Sequence, residues 1–206
     1  MRKIISLLLI MISSMALFSS DLTFSGGRSS LNLMEGKEEV VLSEGAEVSI
    51  DSIRIESDKI TLRGSGWNEV LCQGKTTIVD SEHNLEIRAS SIWFDRTSER
   101  ILISSWFEID DSENEISATG NSMEFDMKNK VLKLDKDVTL LKITDKGIMK
   151  CKAESVIYDR ESEKLSLRGN ASVVWGEDEY HAQAISVDLS TEAISLEGRI
   201  KGTING

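Results

Sequence analysis

In the stretch Leu85-Glu86-Ile87-Arg88-Ala89-Ser90-Ser91-Ile92-Trp93-Phe94-Asp95, apolar side chains occupy odd positions up to Ala89 and even positions from Ile92. Successive side chains of a strand point to opposite faces, so such a slip would throw half of the apolar set onto the wrong side of a flat sheet. The core stays continuous only if the strand bulges or turns a corner between Ala89 and Ile92. The phrase therefore predicts a strand that bends in the middle and presents both halves to one interior.

The slip recurs along the chain. The second apolar residue after it is Leu33, Leu62, Phe94, Phe125, Tyr158 and Val187 in turn, at spacings of 29, 32, 31, 33 and 29 residues. A period of that size marks a repeat architecture. Each copy reads as four apolar pairs. In the fifth these are Cys151 and Ala153, Val156 and Tyr158, Leu165 and Leu167, then Ala171 and Val173. The first copy opens with Leu22 and Phe24, followed by Leu31 and Leu33. A polar turn separates the second pair from the third. A non-apolar residue interrupts the third and fourth: Glu44, Gly74, Ser105, Lys136, Gly169 and Gly198. Small or polar residues suit a second bend there.

These patterns predict an all-β fold of six repeats of about 31 residues, with about twelve bent antiparallel strands. The opposite parity is polar, as in an antiparallel sheet with one wet face. Two sheets joined along a spine, apolar faces inward, satisfy the pattern, and the hairpin turns form two lips opposite the spine. Twelve strands at ~4.8 Å spacing give a trough on the order of 55 Å long. Each interior aliphatic side chain is worth ~1.5–3 kcal/mol if buried, so the trough requires either a packed interior or an apolar guest. The two end strands keep unpaired backbone groups that invite strand addition.

Composition agrees. The chain has no proline, which suits uninterrupted ladders because proline removes a donor. The net charge of −11 excludes nucleic acid, which needs a basic surface. At the start, Arg2 and Lys3 precede an apolar run from Ile4 to Phe18 with small residues after it. That is the layout of a secretory signal, and the run is short for a membrane span. We expect residues 1–20 to be a cleaved signal, with a retained anchor as the alternative, and residues 21–206 to form the exported domain.

Cys72 and Cys151 lie on the apolar parity of their strands and are expected as buried free thiols. Asp95, Asp126, Asp159 and Asp188 recur at one place in the repeat and are expected to initiate turns; a catalytic carboxylate pair is the sharper alternative. His83 and His181 fit no zinc spacing and are expected at the surface. Trp93 and Trp106 sit on the outer parity beside Leu102, as a partner patch or a local cover. Nothing in the sequence calls for a metal, cofactor or catalytic centre.

The phrases Ala153-Glu154-Ser155-Val156-Ile157-Tyr158-Asp159 and Arg168-Gly169-Asn170-Ala171-Ser172-Val173, repeated in phase, resemble the OstA-like, or LptA, family of lipopolysaccharide-transport bridge proteins. The likeness runs from residue 22 to about 204, and Lys136-Asp137 and Ser105-Trp106 depart from the family's Gly-Asn. The resemblance implies a V-shaped β-jellyroll in the periplasm that holds lipid or glycolipid acyl chains between its sheets. It also implies stacking with other OstA-like modules at the inner and outer membranes, or head to tail with further copies of itself. On that reading Ile92, Phe94, Ile101, Ile103, Phe107, Met123, Phe125, Leu132, Leu134, Val138, Val156, Tyr158, Leu165, Leu167 and Val187 line a lipid groove. Leu22, Phe24, Ile194, Leu196 and Ile200 form the partner edges. From periodicity alone the groove residues are equally core packing. The rival to a carrier is a structural or binding repeat protein with a solid core.

Overall fold

The computed structural model describes residues 22–204; the expected signal, residues 1–20, lies outside them. The described residues form sixteen strands in one antiparallel sheet. The first half comprises β1 (Leu22–Ser25), β2 (Arg28–Asn32), β3 (Glu39–Ile50), β4 (Ile53–Arg63), β5 (Glu69–Asp80), β6 (Leu85–Asp95), β7 (Arg100–Ile103) and β8 (Phe107–Asp111). The second comprises β9 (Ile116–Gly120), β10 (Ser122–Asp126), β11 (Val131–Thr144), β12 (Gly147–Asp159), β13 (Lys164–Trp175), β14 (Asp178–Asp188), β15 (Ala193–Glu197) and β16 (Lys201–Thr203). Eight of these are long and continuous. The others are four passes broken at mid-length, β1/β2, β7/β8, β9/β10 and β15/β16, so the chain crosses the sheet twelve times.

The bend sits where the parity slips. In β6 both Ala89 and Ile92 are buried, with two exposed residues between them. Register shifts stand at the same level in successive ladders, between Gln73 and Thr76, Asp135 and Val138, Lys152 and Ser155, and Arg168 and Ala171. The returning strand makes the corner with two residues in the left-handed region: Glu44-Gly45 (φ 62° and 83°), Lys136-Asp137 (66° and 59°), Gly169-Asn170 (76° and 48°) and Gly198-Arg199 (68° and 28°). Gly-Asn is the pair that adopts this step at least cost. Lys136-Asp137 keeps the geometry without the residue types. The strand opposite supplies a polar side chain at the corner. Asp58 accepts from the Lys75 amide (2.8 Å), Asn121 donates to the Lys136 carbonyl (3.2 Å), and Glu154 accepts from the Asn170 amide group (2.7 Å).

Two unbroken rows of inward side chains run across the ladders, one on each arm of the bend. One passes from Leu31 through Val40, Leu62, Val70, Phe94, Ile101, Phe125, Leu132, Tyr158, Leu165 and Val187 to Ile194. The other passes from Phe24 through Val48, Ile55, Ile78, Ile87, Ile109, Ala118, Leu140, Cys151 and Val173 to Tyr180. Most of these side chains are almost wholly buried, although every described strand belongs to the one sheet. The apolar face of each arm is therefore covered by the other arm, and the sheet is doubled over along the line of corners.

The first copy departs from the expected inner set. Phe24, Leu31 and Leu33 are exposed, Leu33 by 68%. Among the described residues β1 and β2 pair only with β3 and no strand lies beyond them, and Leu33 falls after β2 has ended. At the opposite end, Ile194 and Leu196 are half-buried on β15. Ile200 is exposed in the link before β16, outside any strand.

Candidate functional site: the apolar interior and its mouth

All fifteen residues expected to line a groove point inward and are buried. Phe94, the most exposed of them, shows 3% of its surface. Packing is close around the broken passes, where a Cβ on Gly120 would collide with the Phe107 ring. Ser57 and Thr76 are buried together, and their hydroxyls satisfy each other at 2.8 Å. Cys72 and Cys151 are free and buried, and burial pushes both thiols up to about 12, which leaves them inert as nucleophiles.

Opposite the spine the turns form two lips. The first carries turns 51–52, 81–84, 112–115, 145–146 and 176–177; the second carries 64–68, 96–99, 127–130, 160–163 and 189–192. Backbone bonds tie neighbouring turns along a lip: Ser81 to Ser52 and Ser112 to Asn84 on the first, Met127 to Glu99, Arg160 to Lys130 and Leu189 to Glu163 on the second. The recurring aspartates shape the second lip. Asp95 accepts from the Thr97 amide and Ser98 hydroxyl, Asp126 from Asn129, Asp159 from the Glu161 and Ser162 amides, and Asp188 from Ser190 and the Thr191 amide. Each carboxylate is committed to its own turn, as expected of turn initiation.

The lips are also joined to each other, which the sequence reading did not anticipate. Arg160 of the second lip reaches Asp111 of the first in a two-point pair, Nε to Oδ2 at 2.7 Å and Nη2 to Oδ1 at 3.0 Å. The same Nη2 donates to the His83 carbonyl at 3.0 Å and lies 3.4 Å from Glu113. Asp111 accepts further bonds from the Asn114 backbone and side chain and a long one from the Tyr158 hydroxyl (3.4 Å). Arg160 and Asp111 are 6% and 2% exposed. Burial works to lower the Arg160 pKa, but the carboxylate bonded to it outweighs this and raises it. Burial first, then the Asp111 charge, drives the Tyr158 phenol well above its ordinary range. Tyr158 thus stays a hydroxyl donor. One turn further along, Lys146 of the first lip pairs with Glu192 of the second and lies over the Trp175 ring at 4.9 Å.

Where an arginine follows the turn aspartate, as in Asp159-Arg160 and Asp95-Arg96, and where the inward parity ends in a carboxylate, as at Asp80 and Asp111, the sequence held the signal for this clasp. His83 belongs to it rather than to an open surface. Its ring is bonded to the buried Asp80 at 2.7 Å and its carbonyl to Arg160. His181 is exposed and bonded to Glu179. On the outer face, Trp93 is the register partner of both Leu71 and Leu102, and Trp106 is half-exposed nearby. Among the described residues no group of three His, Cys, Asp or Glu side chains is placed to hold a metal ion.

The geometry defines an all-β repeat protein in which one sheet closes on an apolar interior and the lips are stapled across the mouth. No family model matches the sequence, and no curated protein does. One similar solved structure is LptH, the LptA homologous periplasmic component of the conserved lipopolysaccharide transport device from Pseudomonas aeruginosa. It is 12% identical, with 91% of this chain and 97% of that chain covered and a TM-score of 0.27.

Proposed function

We propose that this chain is a non-catalytic periplasmic carrier that shields the acyl chains of a lipopolysaccharide-like glycolipid between the arms of its sheet and docks other modules of the same fold at its end strands. The observation that carries the reading is the pair of apolar rows, unbroken from one end of the sheet to the other. A solid core needs apolar residues, but it has no need of a continuous track that ends in exposed side chains such as Phe24 and Leu31. Leu22 and Phe24 on β1, and Ile194, Leu196 and Ile200 at the opposite end, are the proposed docking edges, since end strands carry unpaired backbone groups. The recurring sequence phrase, similar to that of the lipopolysaccharide-transport bridge family, supports the same assignment. The fifteen buried groove residues would then part to admit acyl chains.

A second reading, a repeat module with a permanently solid core, is favoured by one specific observation: the near-complete burial of those fifteen side chains within the folded sheet. Native mass spectrometry of protein taken from its own envelope separates the two, together with photo-crosslinkers at Phe94 and Phe125. The carrier predicts a co-purifying lipid and crosslinks to it. Bare protein with no lipid adduct at either position establishes the solid core.

A further inference from the structure

Beside the Arg160 clasp the mouth opens into a cleft of about 370 Å³ between the lips. Its walls are Asp51, Ser52, Glu82 and His83 of the first lip and Arg96, Glu99 and Met127 of the second; its floor is Ile50, Ile53 and Phe94, and the buried Asp80, bonded to Ser52 and His83, also lines it. Those three floor residues belong to the apolar interior and are only 3–7% exposed. A polar rim above an apolar floor suits an amphiphile, with a wet head and a greasy tail, and the volume falls in the range of small-molecule sites. The floor is nearly shut, so a tail reaches the interior only if the lips part.

The clasp bounds this cleft. His83 is one of its walls, and the His83 carbonyl is held by Arg160. Arg160 grips the next turn of the first lip through Asp111. One guanidinium thus fixes two neighbouring turns of one lip to the other. Releasing it removes the hold of Arg160 on the cleft wall at His83 and on the turn beyond at Asp111. Elsewhere the lips meet at Lys146 and Glu192, which are exposed and hence weakly held, while the Arg160 pair is desolvated and two-pronged.

We infer that the cleft is a lateral port through which a single acyl chain of an amphiphile enters the interior, and that the Arg160–Asp111 clasp is its latch. The inference rests on the carrier reading and adds the route of loading, through the side of the trough rather than its ends. The ion pair suits a latch because it is polar and specific. Opening it exposes both partners to water, which solvates them, whereas an apolar seal would have no such open state.

The test uses the full chain with Arg160→Met combined with Asp111→Asn, a pairing that strands no buried charge, and Tyr158→Phe as a milder variant that loses only one bond. Two rates are read. One is alkylation of Cys72 and Cys151 by N-ethylmaleimide, which reports opening of the interior without lipid. The other is uptake of a fluorescent lysophosphatidylcholine. The double variant should speed both by about tenfold or more and Tyr158→Phe by about twofold, with the far-ultraviolet β spectrum intact. Uptake that proceeds at the wild-type rate in both variants overturns the port and leaves the carrier standing, with loading from the ends. Absence of uptake in every protein overturns the carrier reading and the port with it. If the double variant loses its β spectrum, the Tyr158→Phe rates decide alone.

Discussion

The spine and the mouth of this molecule are built by opposite means. At the spine a left-handed step recurs in five of the six copies, the third at Ser105 being the exception, and at three of those corners the strand beside it supplies a bonded polar side chain. At the mouth the turns repeat, but the two lip-to-lip pairs described above differ in kind: Arg160 with Asp111 is buried and two-pronged, and Lys146 with Glu192 is exposed. A repeat sets curvature, because each copy packs against its neighbours in the same way. It cannot set where a trough opens, because any contact common to all copies would seal or open the whole length alike. Local control of the mouth has to come from residues outside the period.

The sharpest way to break this contrast is at the latch. Arg160→Ala leaves Asp111 buried without its counter-charge, and loss of one partner of a buried pair costs about 3–5 kcal/mol. We expect that loss in the urea midpoint, and recovery of most of it when Asp111→Asn is added, because the stranded charge is gone. A loss under about 1 kcal/mol for Arg160→Ala would place the pair among ordinary surface contacts. Lys146→Ala, at the exposed staple, should cost no more than about 1 kcal/mol.

At the spine a single copy matters less but still measurably. Gly169 sits at φ 76° against the Glu154 side chain, which a Cβ would strike. Gly169→Ala is expected to cost about 1–3 kcal/mol in the same measurement. The fourth copy supplies the converse. Lys136 holds the same left-handed geometry with a Cβ in place, at φ 66°, so Lys136→Gly should stabilise by roughly 1 kcal/mol. If both substitutions destabilise equally, the corner is not the common element inferred here.

The same contrast explains what was legible beforehand. The parity slip at Ala89 and Ile92 is a statement about which face is dry, and faces are set by a period of two. The bent strands, their twelve passes and the inward rows all follow from it. The interrupting residues Glu44, Gly74, Lys136, Gly169 and Gly198 marked the corners because left-handed backbone selects small and polar side chains. Burial at the end was not legible. Leu31 and Leu33 carry the same phrase as Ile92 and Phe94, but cover depends on strands to both sides, and among the described residues none lies beyond β2. The clasp was missed for a different reason. Asp111 reads as one more turn acid until its parity is counted with Phe107 and Ile109, and its partner lies 49 residues away, across a mouth whose register no periodicity fixes.

The smallest expected effect concerns the turn aspartates of the second lip, which repeat as regularly as the spine does. Hydrogen bonds hold these carboxylates below their ordinary range: from the Ser98 hydroxyl at Asp95, the Asn129 side chain at Asp126, the Ser162 amide at Asp159 and the Ser190 hydroxyl at Asp188. A depressed pKa means the folded state binds the proton less readily than the unfolded chain does. The resulting stabilisation is complete above the unfolded value of about 3.9 and disappears as the pH falls through the folded values. The urea midpoint should therefore hold steady from pH 7 to about 5 and decline below about 4. A chain with all four changed to Asn keeps side chains that can accept at a turn but no longer titrate. Its midpoint should change little at pH 7 and decline less steeply in acid. Equal acid slopes for the two proteins would show that these periodic turns do not set the acid sensitivity of the fold.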